Sequence, residues 1–136
     1  MIHLMEPGFG TIIAEDERAH ETWVETLTRH DHLIETWNCD LATGIFSVGE
    51  KTRVLHGLED RLCGLLDIIR GYHEDHHRTV LNILEQATSS ASSFCYCTTV
   101  PLGNGRRMPV HCVGTSNIRD NALSGRMQGI FAFARM

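Results

Sequence analysis

The stretch that decides the fold is FCYCTTVPLGNGRRMPVHCVGT, residues 94–115. Phe94 to Val100 is rich in aromatic and β-branched residues, and Met108 to Thr115 has the same character. Between them Gly103, Asn104, Gly105 and Arg106 carry the Asn-Gly pair that favours a type I′ turn. This is a β-hairpin. With Asn104 and Gly105 as the two loop residues, Gly103 faces Arg106, and Cys97 is expected to face Cys112. Cys95 and Cys97, two apart on a strand, then share a face with Cys112.

Working outward, Asn117 to Gly125 reads as a loop and Arg126 to Arg135 as a third strand. Ser89 to Ser93 reads as a short polar linker. Before it the pattern is helical: Val54, Leu55 and Leu58 suit a short helix, Leu62, Leu65, Leu66, Ile68 and Ile69 another, and Asp75 to Ala87 a longer one with Val80, Leu81 and Leu84 on one side. Further back, residues 33–40 and 45–48 form two strands joined through Leu41 to Gly44. From Ala14 to about Arg29, Ala19, Trp23 and Leu27 recur at four-residue spacing behind an acidic first turn, which makes an amphipathic helix. Its stripe must be buried on its own domain or on a second copy. Residues 1–13, with Pro7, Gly8 and Gly10, read as an irregular leader. Strands interrupted by one helical block and closed by a meander imply an α+β fold, a five-stranded antiparallel sheet with helices on one face.

Composition narrows the function classes. The chain has 136 residues, one domain's worth, with 12 basic and 17 acidic side chains and a net charge of −5. No run of Lys and Arg is present, so nucleic acid is not an expected partner. Residues 1–75 carry 15 acidic and 6 basic groups against 2 and 6 in residues 76–136, so the two parts attract across the fold or across a dimer contact. Five cysteines is an odd count without CxxC pairs, which points to a reduced, cytoplasmic setting. No window approaches the apolar length of a membrane span.

Several residues together carry a family likeness. Trp37, Asp40, Thr43 and Gly44 match a Trp-x-x-Asp-x-x-Thr-Gly strand and turn. Gly57, Leu58, His73, Asp75, the Asn104-Gly105 hairpin, Val110, His111, Gly114, Arg119, Asp120, Met127, Gly129 and Ile130 follow in order. In these the chain resembles a PAS domain, the sensory module of bacterial signalling proteins, over residues 33–136, with 1–32 as leader and flanking helix. Glu74 replaces the proline of the His-Pro-Asp-Asp signature, Pro109 stands where an aromatic is common, and the chain reaches Met136 before the Asp-Ile-Thr ending that precedes an output segment.

The resemblance implies a non-catalytic module that binds a small ligand or a protein partner and couples it to the geometry of a homodimer, upstream of a histidine kinase or a transcriptional regulator. Ala19, Trp23 and Leu27 would be its dimer helix. The ligand would lie between helical block and sheet, with Leu65, Ile69, Val80 and Leu84 as wall residues from the helices. Tyr96, Thr98, Val100, Phe131 and Phe133 would supply the wall from the strands. A solid core without a cavity is the alternative.

Cofactors are weighed on the same residues. His73, His76 and His77 at i, i+3 and i+4 would share a helix face and hold a metal if Glu74 or Asp75 closed the shell, but ordinary capping of a helix start is the stronger reading and a metal is not expected. Haem is not expected, because the ligand position of haem-binding PAS domains falls on Arg78, one residue past His77. Flavin is not expected either: Cys63 sits in Arg-Leu-Cys-Gly, without the Asn and Arg of the light-sensing subfamily. Cys95, Cys97 and Cys112 on one face could sense oxidant or hold a soft metal, or simply fill space. An acid-base enzyme would use His73 with Asp75 or His111 with Asp120, and the sequence holds no nucleophile elbow, phosphate loop or HExxH to support it.

Overall fold

A computed structural model describes residues 5–118 and 125–135. Its elements in chain order are β1 (Gly10–Ala14), α1 (Glu17–Arg29), β2 (His32–Asp40), β3 (Ile45–Ser47), α2 (Glu50–His56), β4 (Leu62–Cys63) and α3 (Leu65–Arg70). A single 3₁₀ turn (Glu74–His76) leads into α4 (His77–Ala87), then β5 (Ser92–Gly103), β6 (Arg106–Ser116) and β7 (Arg126–Ala134). The sheet is antiparallel with strand order β1-β5-β6-β7-β2-β3-β4. No helix of the described residues is long and apolar enough to cross a membrane. Arg119 and Asp120 lie outside the described residues.

The expected five strands are present as β5-β6-β7-β2-β3, and two further strands lengthen the sheet to seven. β1 arises from what reads as an irregular leader: Gly10–Ala14 pairs with Ser92–Tyr96. Gly10 fits closely there: a Cβ would meet Ile83 Cδ1 at 2.3 Å, Tyr96 Cβ at 3.0 Å and Cys95 O at 3.1 Å, so Ile83 would have to shift. β4 is two residues of a segment that reads as helical; Cys63 pairs with Phe46, so the apolar run Leu62–Ile69 is split at Gly64 between a sheet edge and α3. Ser92 and Ser93, read as linker, are buried in β5. Their hydroxyls are used locally: Ser93 Oγ accepts from Asp16 N and donates to Asp16 O, which fastens the start of α1 to β5.

The hairpin turn follows its sequence, with Asn104 at φ 55° and Gly105 at φ 72°. Its register does not. Gly103 opposes Arg106, but Pro101 opposes Arg107, leaving Leu102 as a bulge, so Cys97 faces His111 and Tyr96 faces Cys112. One residue of slip moves a side chain to the other face of a sheet. Cys112 therefore belongs to the main core with Tyr96, while Cys95 lies on the opposite face, and the three thiols do not converge.

Helices do not all lie on one face. The face of Phe94, Tyr96, Val100, Val110, Phe131 and Phe133 is covered by α3 and α4 residues such as Ile68, Ile69, Val80, Ile83 and Leu84. The opposite face carries Cys95, Val113, Ile130 and Ala132 and is covered by α1 through Leu27, Trp23 and Val24. Asp16 caps α1, its Oδ1 accepting from Arg18 N and Ala19 N. Of the apolar stripe of α1, Leu27 is buried on the chain's own sheet, while Ala19, Trp23 and Val24 are only partly buried. Where β6 and β7 cross, Gly114 faces Gly129; a Cβ at Gly129 would stand 1.8 Å from Val113 O, so this pair can carry no side chain.

Candidate functional site

The space between helical block and sheet is crossed by a chain of polar groups, part-buried at its β2 end and buried from His56 inward. It begins on β2, where Leu33, Trp37 and Cys39 point inward and Glu35 shares their alternation. Glu35 Oε1 accepts from Thr52 N and Thr52 Oγ1, both at 2.7 Å, and Oε2 accepts from Lys51 N at 3.3 Å. The helix α2 has only glycine, Gly49, at its N-cap, and a Cβ there would sit 2.5 Å from the Glu35 carboxylate. Glu35 is therefore a cap supplied from another strand. Burial opposes its ionisation, but the hydrogen bonds from Thr52 and Lys51 outweigh this and hold its pKa below the usual carboxylate range.

One turn along α2, His56 is 4% exposed. Its Nδ1 stands 3.1 Å from Thr52 O and its Nε2 2.8 Å from Tyr72 Oη, which in turn stands 2.9 Å from Tyr96 Oη. A carbonyl only accepts, so His56 Nδ1 carries the proton and Nε2 is an acceptor. Tyr72 must then donate to His56, and Tyr96 to Tyr72. Cys112, the register partner of Tyr96, adjoins the end of this row. Burial lowers the His56 pKa to about 4, so the ring is neutral near pH 7. Burial also pushes Tyr72 and Tyr96 well above the ordinary phenol value. The imidazole packs against Phe131 and Phe133, with centroids 4.9 and 5.7 Å away.

These rings fill the central space, and two clefts flank them. One, of about 330 Å³, opens beside the β2–β3 turn and the end of α4; Cys39, Leu41, Phe46, Leu65, Leu84 and Met127 line it with Gly44 and Thr88. The other, of about 500 Å³, reaches His56 from the α2–α3 side, with Leu58, Cys63, Asp67, Arg70 and Gly71 among its walls.

Of the residues expected to line a ligand site, Leu65 and Leu84 reach the first cleft. Ile69, Val80, Tyr96, Thr98, Val100, Phe131 and Phe133 are buried. Tyr96 belongs to the polar chain, and Thr98 Oγ1 bonds to His76 Nδ1 at 2.9 Å. Glu35, Thr52, His56 and Tyr72 belong to none of the sequence motifs. A carboxylate on the inward face of a strand, and a helix opening on Gly49, are the signals that could have found the first.

His73 and His76 stack with ring centroids 4.7 Å apart, but the three clustered histidines do not turn their nitrogens to a common point. His73 caps the 3₁₀ turn by accepting from Asp75 N, His76 turns to Thr98, and His77 Nε2 donates to Tyr72 O. Among the described residues no group of three or more His, Cys, Asp or Glu side chains is arranged to hold a metal ion. Arg78 is exposed. His73 and Asp75 approach at 3.9 Å on the surface, and Asp120, the partner considered for His111, is outside the described residues. All five thiols are free and buried. Burial raises Cys39 and Cys63 to about 11 and Cys95 and Cys97 to about 12, and raises Cys112 well above the ordinary thiol value, so none has the lowered pKa of a reactive thiol.

No family model matches the chain, nor does any curated protein. Solved structures do. An RNA-binding light-oxygen-voltage receptor aligns with a TM-score of 0.60 at 10% identity over 74% of this chain, which spans 29% of that receptor. The N-terminal domain of a diguanylate cyclase with PAS/PAC sensor from Marinobacter aquaeolei gives 0.60 at 15% identity, covering 75% of this chain and 94% of that one. A sensory box histidine kinase/response regulator from Burkholderia thailandensis gives 0.57 at 14% identity over 83% and 82% of the two chains. The strand order, the helical block over one face and these neighbours agree that the chain has the fold of a PAS domain.

Proposed function

We propose that this domain is a cytoplasmic, non-catalytic sensory module that takes a small apolar ligand into the cleft between the β2–β3 turn and α4 and relays its presence to a signalling output such as a histidine kinase or a transcriptional regulator. The observation that carries this reading is the cleft of about 330 Å³ in a PAS-folded chain, lined by Leu41, Phe46, Leu65, Leu84 and Met127. Its walls come from β2, β3, α3, α4 and β7, so an occupant touches the helical block and the sheet at once. A ligand that binds one arrangement of these elements better than another shifts their balance by that difference in affinity. The neighbours' own descriptions, a sensor diguanylate cyclase and a sensory histidine kinase, favour the same class of role.

The module works as a homodimer in this reading. Leu27 is committed to its own sheet, whereas Trp23 and Ala19 are only half-buried and supply the rim on which a second copy would rest.

Native mass spectrometry of the purified protein, with an anilinonaphthalene sulfonate titration of the emptied chain, tests the ligand reading. Bound small-molecule mass, or dye binding that Leu65→Trp abolishes while the fold persists, supports it. Absence of both overturns it. Light scattering at micromolar concentration tests the dimer, and a monomeric mass refutes that part.

A further inference from the structure

The sheet face turned away from α2, α3 and α4 meets α1, and this contact contains imidazoles without carboxylate partners. His111 on β6 is 4% exposed. Its Nε2 donates to Met5 O at 3.1 Å, which leaves Nδ1 as a lone pair, buried and without a hydrogen-bond partner. The His32 ring meets His111 edge-on with centroids 5.5 Å apart, and its Nδ1 donates to Leu27 O at 3.0 Å, in the last turn of α1. On the helix itself, His20 has a buried Nδ1 that is also unpartnered. His111 and His32 each donate from one ring nitrogen to a carbonyl, which a neutral imidazole supplies, and the buried His20 Nδ1 makes no such bond. A second proton on His111 would create a buried donor with nothing to accept it, and a second charge on His32 would face the first across the ring contact.

Charges that could offset this are few. On β5 the facing titratable groups are the thiols of Cys95 and Cys97, and β7 contributes only Ile130 and Ala132 to this cluster. His30 and Asp31 flank His32, but Asp31 is already 3.1 Å from Arg135 Nε. Glu21 neighbours His20, while Glu25 on the same helix is paired with Arg29.

We propose that α1 is an acid-released latch: protonation of His111 and His32, assisted by His20, detaches the helix from the sheet while the rest of the fold stays intact. The contact to be lost is the smaller of the two apolar clusters, five buried residues against 22 in the main core, and it lies on the far side of the sheet from that core. The direction follows from linkage. Burial depresses the pKa of all three imidazoles. The released helix therefore binds more protons than the docked one, and release is favoured increasingly as pH falls below about 6.5. Above that value the latch stays closed.

Hydrogen exchange by mass spectrometry on the full chain, at about pH 7.5 and about pH 5.5 and corrected for intrinsic rates, reads this directly. Peptides covering residues 17–30 should exchange about tenfold faster at the lower pH, while those of α4 and β5 change less than about twofold. The double variant His32→Gln/His111→Gln should lose this pH response. Unchanged α1 protection, equal loss in α1 and α4, or the same response in the double variant overturns the proposal. If that variant does not fold, titration of the imidazole protons in the wild-type chain decides. Midpoints of His32 and His111 that coincide with α1 release support it, and midpoints more than about one pH unit away overturn it.

Discussion

The hydroxyl oxygens of Tyr72 and Tyr96 stand 2.9 Å apart, and both side chains are buried. This bond joins the segment between α3 and the 3₁₀ turn to the centre of β5, and Tyr72 extends it to His56 on α2. Three parts of the helical block and sheet are thereby tied by groups that have no alternative partner in water.

Removing one member should cost more than removing its neighbour. Tyr96→Phe leaves the Tyr72 oxygen without a donor and should destabilise by about 1–2 kcal/mol. Tyr72→Phe strands both His56 Nε2 and the Tyr96 hydroxyl and should cost about 2–3 kcal/mol. The double variant should cost less than the sum, as coupled partners do. Guanidinium unfolding of the four proteins gives the cycle, and strict additivity would show that the bond contributes nothing.

Acid should weaken the fold through His56. Its folded pKa, about 4, lies below its ordinary value, so the stability it contributes is full above about pH 6.5 and is lost as pH falls toward 4. A displacement of that size corresponds to about 3 kcal/mol at full protonation. In His56→Gln the unfolding free energy should change less between about pH 7 and 4 than in the wild-type chain, by a fraction of that figure or more. Parallel pH profiles in the two proteins would remove His56 from the account.

Glu35 supplies the cap that Gly49 cannot. Glu35→Ala should destabilise by about 1–2 kcal/mol and speed amide exchange at Lys51 and Thr52, where the donors lose their acceptor. Gly49→Ser should partly rescue it, because the carboxylate its Cβ would meet is then gone and a serine can cap the helix itself. In the wild-type background the same serine should be destabilising, and a neutral result there would contradict the geometry.

The thiols should be silent in the native state. All five are buried and their pKa values are raised by burial, so Ellman's reagent at about pH 8 should find less than about one thiol per chain within minutes and five after denaturation. Rapid labelling of Cys95 or Cys97 in the folded chain would reopen the redox reading.

Most of the architecture was legible, for identifiable reasons. The Asn104-Gly105 turn, the strand at residues 33–40 and the α1 stripe are local patterns, and each formed as read. What failed depended on partners far away in sequence. Gly10–Ala14 has no strand signature of its own and becomes β1 because β5 offers it an edge. Ser92 and Ser93 look like linker until Asp16 takes up the Ser93 hydroxyl. Leu102 gives no warning of a bulge, yet that one residue decides which face Cys112 occupies. The polar chain was missed because Glu35, His56, Tyr72 and Tyr96 are spread over 62 positions, and only the packed sheet brings them into one line.

Because Thr52 O can only accept, every hydrogen along His56, Tyr72 and Tyr96 leans the same way. The interior therefore holds a fixed electric dipole running from the sheet toward α2, with no mirror arrangement of equal energy. Reversing it would require the imidazole to exchange tautomers and confront the carbonyl with a bare lone pair.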